Sequence, residues 1–278
     1  EDGIRDQPRS RGLGDVYKRQ RFFTKVLYDA GYVPFDEPAI RLYNHGMVLD
    51  AKGEVMSKSK GNVVSPRELI EAEGADVARI AMFFAAPSDV EIRWSKEGVT
   101  GARRCLNRFW NLTVNRCGWL RTHTPVDFDW RRLSDAGRAL WRRFHKTIKR
   151  CREQFEGRLA FNTAIAAVME LLNELESSAL FDDEGEPARS VVHRVVEGMV
   201  RLLAPLAPHI AEEIWHRMGK EGSIFRAPYP VFDAEAAREE VVTIPVQING
   251  RVRARIEVPA DATEEAVKET AFAQENVK

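Results

Sequence analysis

Cysteine is scarce in this sequence. Cys105, Cys117 and Cys151 are the only three, and no two of them form a C-x-x-C pair. No His and Cys cluster has zinc-site spacing either. These absences exclude a disulfide framework and a structural zinc module, and they leave reduced thiols in a cytosolic chain as the expectation. Long apolar runs are missing too. None reaches the roughly 18 residues of a transmembrane helix, and the N-terminus has no apolar signal-peptide core. Net charge is zero, with 42 Lys and Arg against 42 Asp and Glu. Bulk charge therefore points to no polyanion. The G-x-G-x-x-G and Walker patterns and any catalytic-triad spacing are also absent.

What is present fits a globular chain of roughly two domains. It has 278 residues, of which 44% are hydrophobic. Its charge is unevenly spread. Residues 101–152 hold fourteen Lys and Arg against three acids, Asp127, Asp129 and Asp135. Residues 153–187 hold nine acids against Arg158 alone. Such asymmetry marks either an electrostatic face for a polyanion or two helical blocks that pack through complementary charge.

Residues 55–62, Val-Met-Ser-Lys-Ser-Lys-Gly-Asn, are the most informative stretch. Serine hydroxyls and backbone N–H groups can donate to phosphate oxygens, and lysine supplies a mobile point charge. Gly61 permits a sharp turn and close approach to a ligand. By composition alone, a solvated surface turn would read the same way. The string itself resembles the KMSKS signature of class I aminoacyl-tRNA synthetases, with Val55 in place of the first lysine. Flanking text at 25–49, 74–112, 161–175, 203–219 and 246–263 is similar, in order, to the bacterial leucyl-tRNA synthetases. That resemblance runs from Arg21 to the last residue.

Periodicity gives the elements. Residues 21–31 read as the end of a helix stopped by Gly31, and 39–49 as a connector and a buried strand. Ser65 and Pro66 open a helix that ends at Gly74. Asp76 is placed to cap the helix that follows. Ser95 is the expected N-cap of a long helix running to Trp119. Helices are predicted over 134–155, 160–180, 188–203 and 209–217 from their 3.6-residue repeat. Two β-branched runs, 241–247 and 252–259, flank Asn249-Gly250, a hairpin signal. Thr263 then caps a helix toward Asn276. Arg251, Arg253 and Arg255 alternate along the second run, as a phosphate-contacting row or as a solvated edge.

The resemblance implies a mainly α fold. It would comprise the end of a Rossmann-type catalytic domain with the KMSKS loop (21–64), a stem-contact fold (65–95) and an α-helical anticodon-binding bundle (96–228). A linker (229–240) and a truncated small α/β C-terminal domain (241–278) would follow. It implies a leucine–tRNA ligase that uses ATP with Mg2+ and takes leucine and tRNA-Leu as partners. It also implies a cytoplasmic monomer, no membrane and no metal ligands in this stretch. Lys58 is the expected catalytic cation. Met56, Ser57, Lys58, Ser59, Lys60, Gly61 and Asn62 form the expected ATP loop. Arg142, Arg143, Lys146, Arg251, Arg253 and Arg255 are the expected tRNA contacts. His45 would line the adenylate pocket or occupy a turn. The His-Ile-Gly-His-type motif of the family is missing, and this segment alone is expected to be inactive. An isoleucyl, valyl or methionyl enzyme, or a non-catalytic tRNA-binding helical module, is the competing reading. The string Asp15-Val16-Tyr17-Lys18-Arg19-Gln20 is a translation of GATGTGTATAAGAGACAG, the end of a sequencing-library adaptor. Residues 1–20 are therefore read as an adaptor artefact or a disordered arm.

Overall fold

The computed structural model describes residues 11–41, 43, 45–87, 89–181, 185–238, 241–248, 250–259, 262–274 and 276. The chain divides into two compact units, Glu1–His45 and Gly46–Lys278. In the first, helix α1 spans Arg11–Asp29, so residues 11–20, read from sequence as an adaptor artefact or a disordered arm, are helical. It ends as the sequence suggests. Tyr32 N–H donates to Leu27 C=O at 2.8 Å and Gly31 N–H to Tyr28 C=O at 2.9 Å, with Gly31 at φ +75°. This is a Schellman closure, which needs a left-handed residue. Arg21 and Lys25 hold Glu37, whose carboxyl is pulled down to about 2, chiefly by the Arg21 hydrogen bond. Phe22, Phe23, Tyr32 and Ile40 stay exposed.

The second unit is mostly helical. A two-residue strand, β1 (Val48–Leu49), pairs in parallel with β2 (Ile92–Arg93). Helices α2 (Pro66–Glu73) and α3 (Ala75–Ala85) lie between them in the chain. Ser65 caps α2, accepting from Glu68 N–H, with Pro66 at the first helical position. Ala86 precedes Pro87 and is extended, as proline demands of its predecessor, and α3 stops there. Gly46 is fixed by close packing: a Cβ there would fall 1.7 Å from the Val90 carbonyl oxygen.

A bundle follows. It is built from α4 (Lys96–Val114), α5 (Cys117–Thr122), α6 (Asp135–Glu153), α7 (Phe161–Ser177), α8 (Glu186–Leu203) and α9 (Pro208–Arg217). Ser95 and Ser134 cap α4 and α6 through Gly98 N–H and Gly137 N–H. The long helix predicted to Trp119 is broken at Asn115–Arg116. There Arg116 turns back onto the Leu112 carbonyl and stacks 3.8 Å from the Phe181 ring centre. Helix α8 is the centre. Val191, Val195, Val196, Met199 and Leu202 are completely buried, so it is apolar around most of its girth rather than along one stripe. Gly198 lets it meet α6, since a Cβ would lie 2.2 Å from the Phe144 ring. Among the described residues, no helix is long and apolar enough to cross a membrane.

The segment from Tyr229 to Arg238 was expected to be a loose linker, but the structure docks it on α6. Asp233 N–H donates to His145 Nδ1 at 2.8 Å, and Arg142 Nε donates to the Arg238 carbonyl at 2.9 Å. Ala236 is buried, and Tyr229 and Phe232 pack on the helical core. Glu239 and Glu240 lie outside the described residues. Strands β3 (Val241–Ile248) and β4 (Arg251–Pro259) form an antiparallel hairpin, followed by α10 (Glu264–Phe272). Gly250 closes the turn at φ +77°, while Asn249 lies outside the described residues. Thr263 caps α10 through Ala266 N–H, and the helix ends four residues short of Asn276. On β4, Ile256 and Val258 are buried and α10 packs on that strand, whereas Val242, Ile244 and Val246 of β3 are half-buried and Ile248 is exposed.

The His145 contact makes the docked segment acid-sensitive. Burial holds this imidazole at about 4, so it stays neutral and accepts the Asp233 proton. A histidine that binds its proton more weakly folded than unfolded destabilises the fold as pH drops below about 6.5, and the loss is complete near pH 4. The drop from the ordinary value corresponds to about 3 kcal/mol. Urea unfolding of the chain between pH 7 and pH 4.5 should show this loss. His145→Asn, which keeps an acceptor near Nδ1 without titrating, should flatten it. An unchanged pH slope in the variant would contradict the assignment.

Candidate functional site

The loop from Asp50 to Asn62 is built around two side chains. Asp50 ends β1 and folds back as an Asx turn, its Oδ1 accepting from Lys52 N–H and Glu54 N–H, both at 2.9 Å. Its Oδ2 accepts from Asn62 Nδ2 at 2.9 Å. Asn62 Oδ1 in turn accepts from Ser57 N–H at 2.9 Å. The two ends of the loop are thereby clasped. The Asn62 amide, ahead of the Glu54 and Lys52 backbone groups, holds the Asp50 carboxyl below its ordinary value. Met56 N–H returns to the Val48 carbonyl at 3.1 Å, and Val55 bridges Leu49.

Inside this clasp the serines and lysines are gathered on one short turn. Lys58–Lys60 form a single 3-10 turn, followed by Gly61 at φ +66°. Ser57 Oγ and Ser59 Oγ are 3.1 Å apart. Lys60 Nζ rests on Glu54 Oε2 at 2.6 Å, with both side chains more than half exposed. The Lys58 backbone opens the turn; its side chain lies outside the described residues. Val55, standing where the resembled motif has a lysine, is half-buried in the β bridge, a place that suits a β-branched side chain. His45 is exposed and belongs to the first unit.

The basic and acidic blocks of the sequence meet each other. Arg143 Nε donates to Glu174 at 2.8 Å, with its Nη1 3.5 Å from Glu170, and Arg150 lies 3.7 Å from Glu170, all across the α6–α7 seam. Arg108 of α4 is held by Asn173 and Glu176 of α7. Of the expected RNA contacts, Arg143 is thus a seam residue. Arg142 caps the docked 229–238 segment, and burial together with Arg143 and Arg142 lowers the Lys146 ammonium. The β3–β4 register slips opposite Val246 and Gln247, which pair with Ala254 and Val252. Arg253 is the extra residue there, so Arg251, opposite Ile248, leaves the face that carries Arg255 opposite Pro245. All three arginines are exposed, but they do not form one row.

Two further residues escaped the sequence reading. Asp76 does not cap its own helix, whose N-cap, Gly74, has no side chain to offer. It is buried, and its carboxylate accepts from Ile210 N–H at 2.7 Å and His209 N–H at 3.4 Å, capping α9 instead. One turn on, Arg79 donates from Nε to the Leu206 carbonyl at 3.1 Å and from Nη2 to the Pro205 carbonyl at 2.9 Å. The available signal was an i, i+3 Asp and Arg pair on one face of a short helix. Nothing local says that its partners lie over 120 residues away. Among the described residues, no group of three or more His, Cys, Asp or Glu could hold a metal.

The model for tRNA synthetases class I (I, L, M and V) matches residues 21–95, and the model for the anticodon-binding domain of tRNA ligase matches residues 137–268. A leucine–tRNA ligase from Geotalea daltonii is 43% identical over 93% of this chain and 31% of its own length. One from a Geobacter species is 45% identical over the same shares. A LeuRS from Agrobacterium radiobacter, solved as a ternary complex with tRNA and LeuAMS, superposes with a TM-score of 0.74 at 34% identity, covering 92% of this chain and 33% of that one. Methionyl-tRNA synthetase from Mycobacterium tuberculosis shares the fold at TM-score 0.52 and 23% identity, over 72% of this chain and 42% of that one. The chain spans about a third of the length of the curated relatives it matches.

The clasp gives the loop a pH response and a mutational signature. Because the Asp50 carboxyl is held low, the clasp stays intact through the ordinary carboxylate range and opens as pH falls below it. Asn62→Ala should return the Asp50 titration toward its ordinary value and speed amide exchange at Ser57, both read by NMR. An Asp50 titration that stays low in the variant would show that Asn62 is not the main donor.

Proposed function

We propose that this chain, a homologue of leucine–tRNA ligases along nearly its whole length, supplies the ATP-phosphate loop and the RNA-binding bundle of such an enzyme. On this reading, residues 21–64 are the end of a Rossmann-type catalytic domain and residues 65–95 a stem-contact fold. Residues 96–228 are the anticodon-binding-type bundle, and the hairpin with α10 begins a C-terminal tRNA-binding domain. The enzyme would activate leucine with MgATP in the cytoplasm and transfer it to tRNA-Leu.

One observation carries the reading: a clasped turn gathers Ser57, Lys58, Ser59 and Lys60 beside a left-handed glycine. During activation, negative charge grows on the bridging oxygen as pyrophosphate departs. An ammonium placed there in advance stabilises it more than it stabilises bound ATP. Lys58 takes that role. Ser57 and Ser59 donate hydroxyl or backbone hydrogens to the phosphate oxygens. Among the described residues, Lys60 Nζ is held by an exposed ion pair with Glu54, a contact worth at most about 1 kcal/mol. It can therefore exchange Glu54 for a phosphate and make up part of the charge that Val55 does not bring. Gly61 and the clasp let the turn move as a unit and keep its shape. Arg251, Arg253 and Arg255 remain the exposed cations for tRNA phosphates, with Arg142 and Lys146 on α6. Arg143, already held by Glu174 and Glu170, has less to offer.

Lys58→Ala in the full-length protein tests the role. Removing one preplaced donor of this kind costs ~3 kcal/mol or more of barrier, so leucine-dependent pyrophosphate exchange should fall by roughly a hundredfold or more. The leucine KM should change little. Near wild-type exchange would exclude Lys58 from the reacting phosphates.

A further inference from the structure

The docked segment 229–238 walls two cavities against the C-terminal end of α6. The first, of about 690 Å³, is aromatic. Phe83, Phe155, Phe161 and Tyr229 line it. The Phe161 ring centre is 4.9 Å from that of Phe83 and 5.9 Å from that of Phe155, and Phe155 is 6.2 Å from Tyr229. The end of α6 shapes this wall. The helix closes in a π turn, Gln154–Arg158, and Leu159 follows at φ +55°, a left-handed setting uncommon for leucine. Phe155 lies in that turn, and Phe161 opens α7 just after it.

Two guanidiniums share the aromatic cavity. Arg79 spends Nε and Nη2 on the Leu206 and Pro205 carbonyls, and Arg152 spends Nε on Glu156 at 3.0 Å. Among the described residues, Arg79 Nη1 and the two Nη groups of Arg152 make no hydrogen bond. Glu156 is the one acid of the lining and is mostly exposed. The second cavity, of about 670 Å³, is basic. Lys146, Lys149, Arg150 and Arg238 line it against one acid, Glu153. Lys149 is 3.9 Å from Glu153 and Arg150 is 3.7 Å from Glu170, long and half-exposed pairs that a phosphate can displace.

Aromatic faces beside unspent guanidinium N–H groups, next to a groove of cations, match the chemistry of single-stranded nucleic acid. A base takes the π-faces and the backbone takes the charges. The guanidiniums can donate to base carbonyls and ring nitrogens, and Glu156 can accept from amino groups. A paired base, stacked inside a duplex, does not reach such a slot. An apolar side chain would leave the guanidiniums unused. We infer that segment 229–238 and the end of α6 form a site for an unpaired nucleotide of the RNA that the bundle binds, its base in the aromatic cavity and its neighbouring phosphates in the basic groove. The inference rests on the RNA-binding reading above. It adds a base contact that a purely electrostatic face does not make.

The test uses the full-length protein and an RNA octamer with 2-aminopurine at its centre, compared with the same octamer annealed to its complement. Binding of the single strand should quench the fluorescence, as stacking requires. Phe155→Leu keeps an apolar side chain without a π-face and should raise the Kd at least about fivefold, the lower end of a base–aromatic stack. Arg152→Gln, at an exposed position, should raise it at least about threefold and gives the reading if Phe155→Leu fails to fold. Lys149→Gln should reduce the slope of log K against log salt by about 0.7. The duplex should be insensitive to Phe155→Leu, and tRNA-Leu should displace the octamer from the wild type. Unquenched fluorescence, wild-type affinity in both Phe155→Leu and Arg152→Gln, or equal losses for single strand and duplex would leave only an electrostatic face and overturn the inference. So would failure of tRNA-Leu to compete, or binding of the free 2-aminopurine nucleotide as tight as that of the octamer, which would make the cavity a small-molecule site. Leucine-dependent pyrophosphate exchange by the wild type checks the reading beneath it separately: its absence would sink the ligase assignment and leave the octamer result standing.

Discussion

The carboxylate of Asp76 is the constraint around which the unit is arranged. A buried carboxylate is tolerated only where donors meet it, and here the donors are the first N–H groups of α9. Hydrogen bonds to a charged group contribute about 1.5–3 kcal/mol, and leaving such a group unmet costs at least as much. With α9 fixed against α3, Arg79 meets the carbonyls between α8 and α9, and α8 stays in the middle of the bundle. The pairing of β1 with β2 and the base of the loop follow from where α3 is held.

The loop itself is organised by a different logic. Its restraints are short, polar and mostly exposed. Asp50 and Asn62 fix its outline, while the lysine contact with Glu54 is weak enough to be exchanged. Met56 and Val64, at its ends, line an apolar cavity shared with Leu69 of α2 and Met82 and Phe83 of α3. A turn of this build keeps its outline through the Asp50 and Asn62 clasp.

Much of this was legible in sequence because the governing signals are local. Ser65, Ser95, Ser134 and Thr263 cap the helices they precede, and Gly31 closes α1. The unread features depend on partners remote in the chain. Asp76 was assigned to its own helix because an acidic residue in a first turn usually serves there, whereas its partners are His209 and Ile210. The basic run 101–152 was open to two readings, and the α6–α7 and α4–α7 ion pairs show how much of its charge faces the acidic run. The docking of residues 229–238 was not legible because Pro230 and a string of small and charged residues carry no sign of the His145 acceptor. The arginine row on β4 failed because a bulge cannot be read from alternation.

The central claim is that this fold serves leucine activation, with the clasped turn at Ser57–Lys60 on the ATP phosphates. Amino-acid-dependent exchange of pyrophosphate into ATP by the full-length protein tests it most directly. The account predicts exchange with leucine and at least a hundredfold less, about 3 kcal/mol in discrimination, with methionine, valine or isoleucine. Exchange led by another amino acid, or none with any, would contradict it.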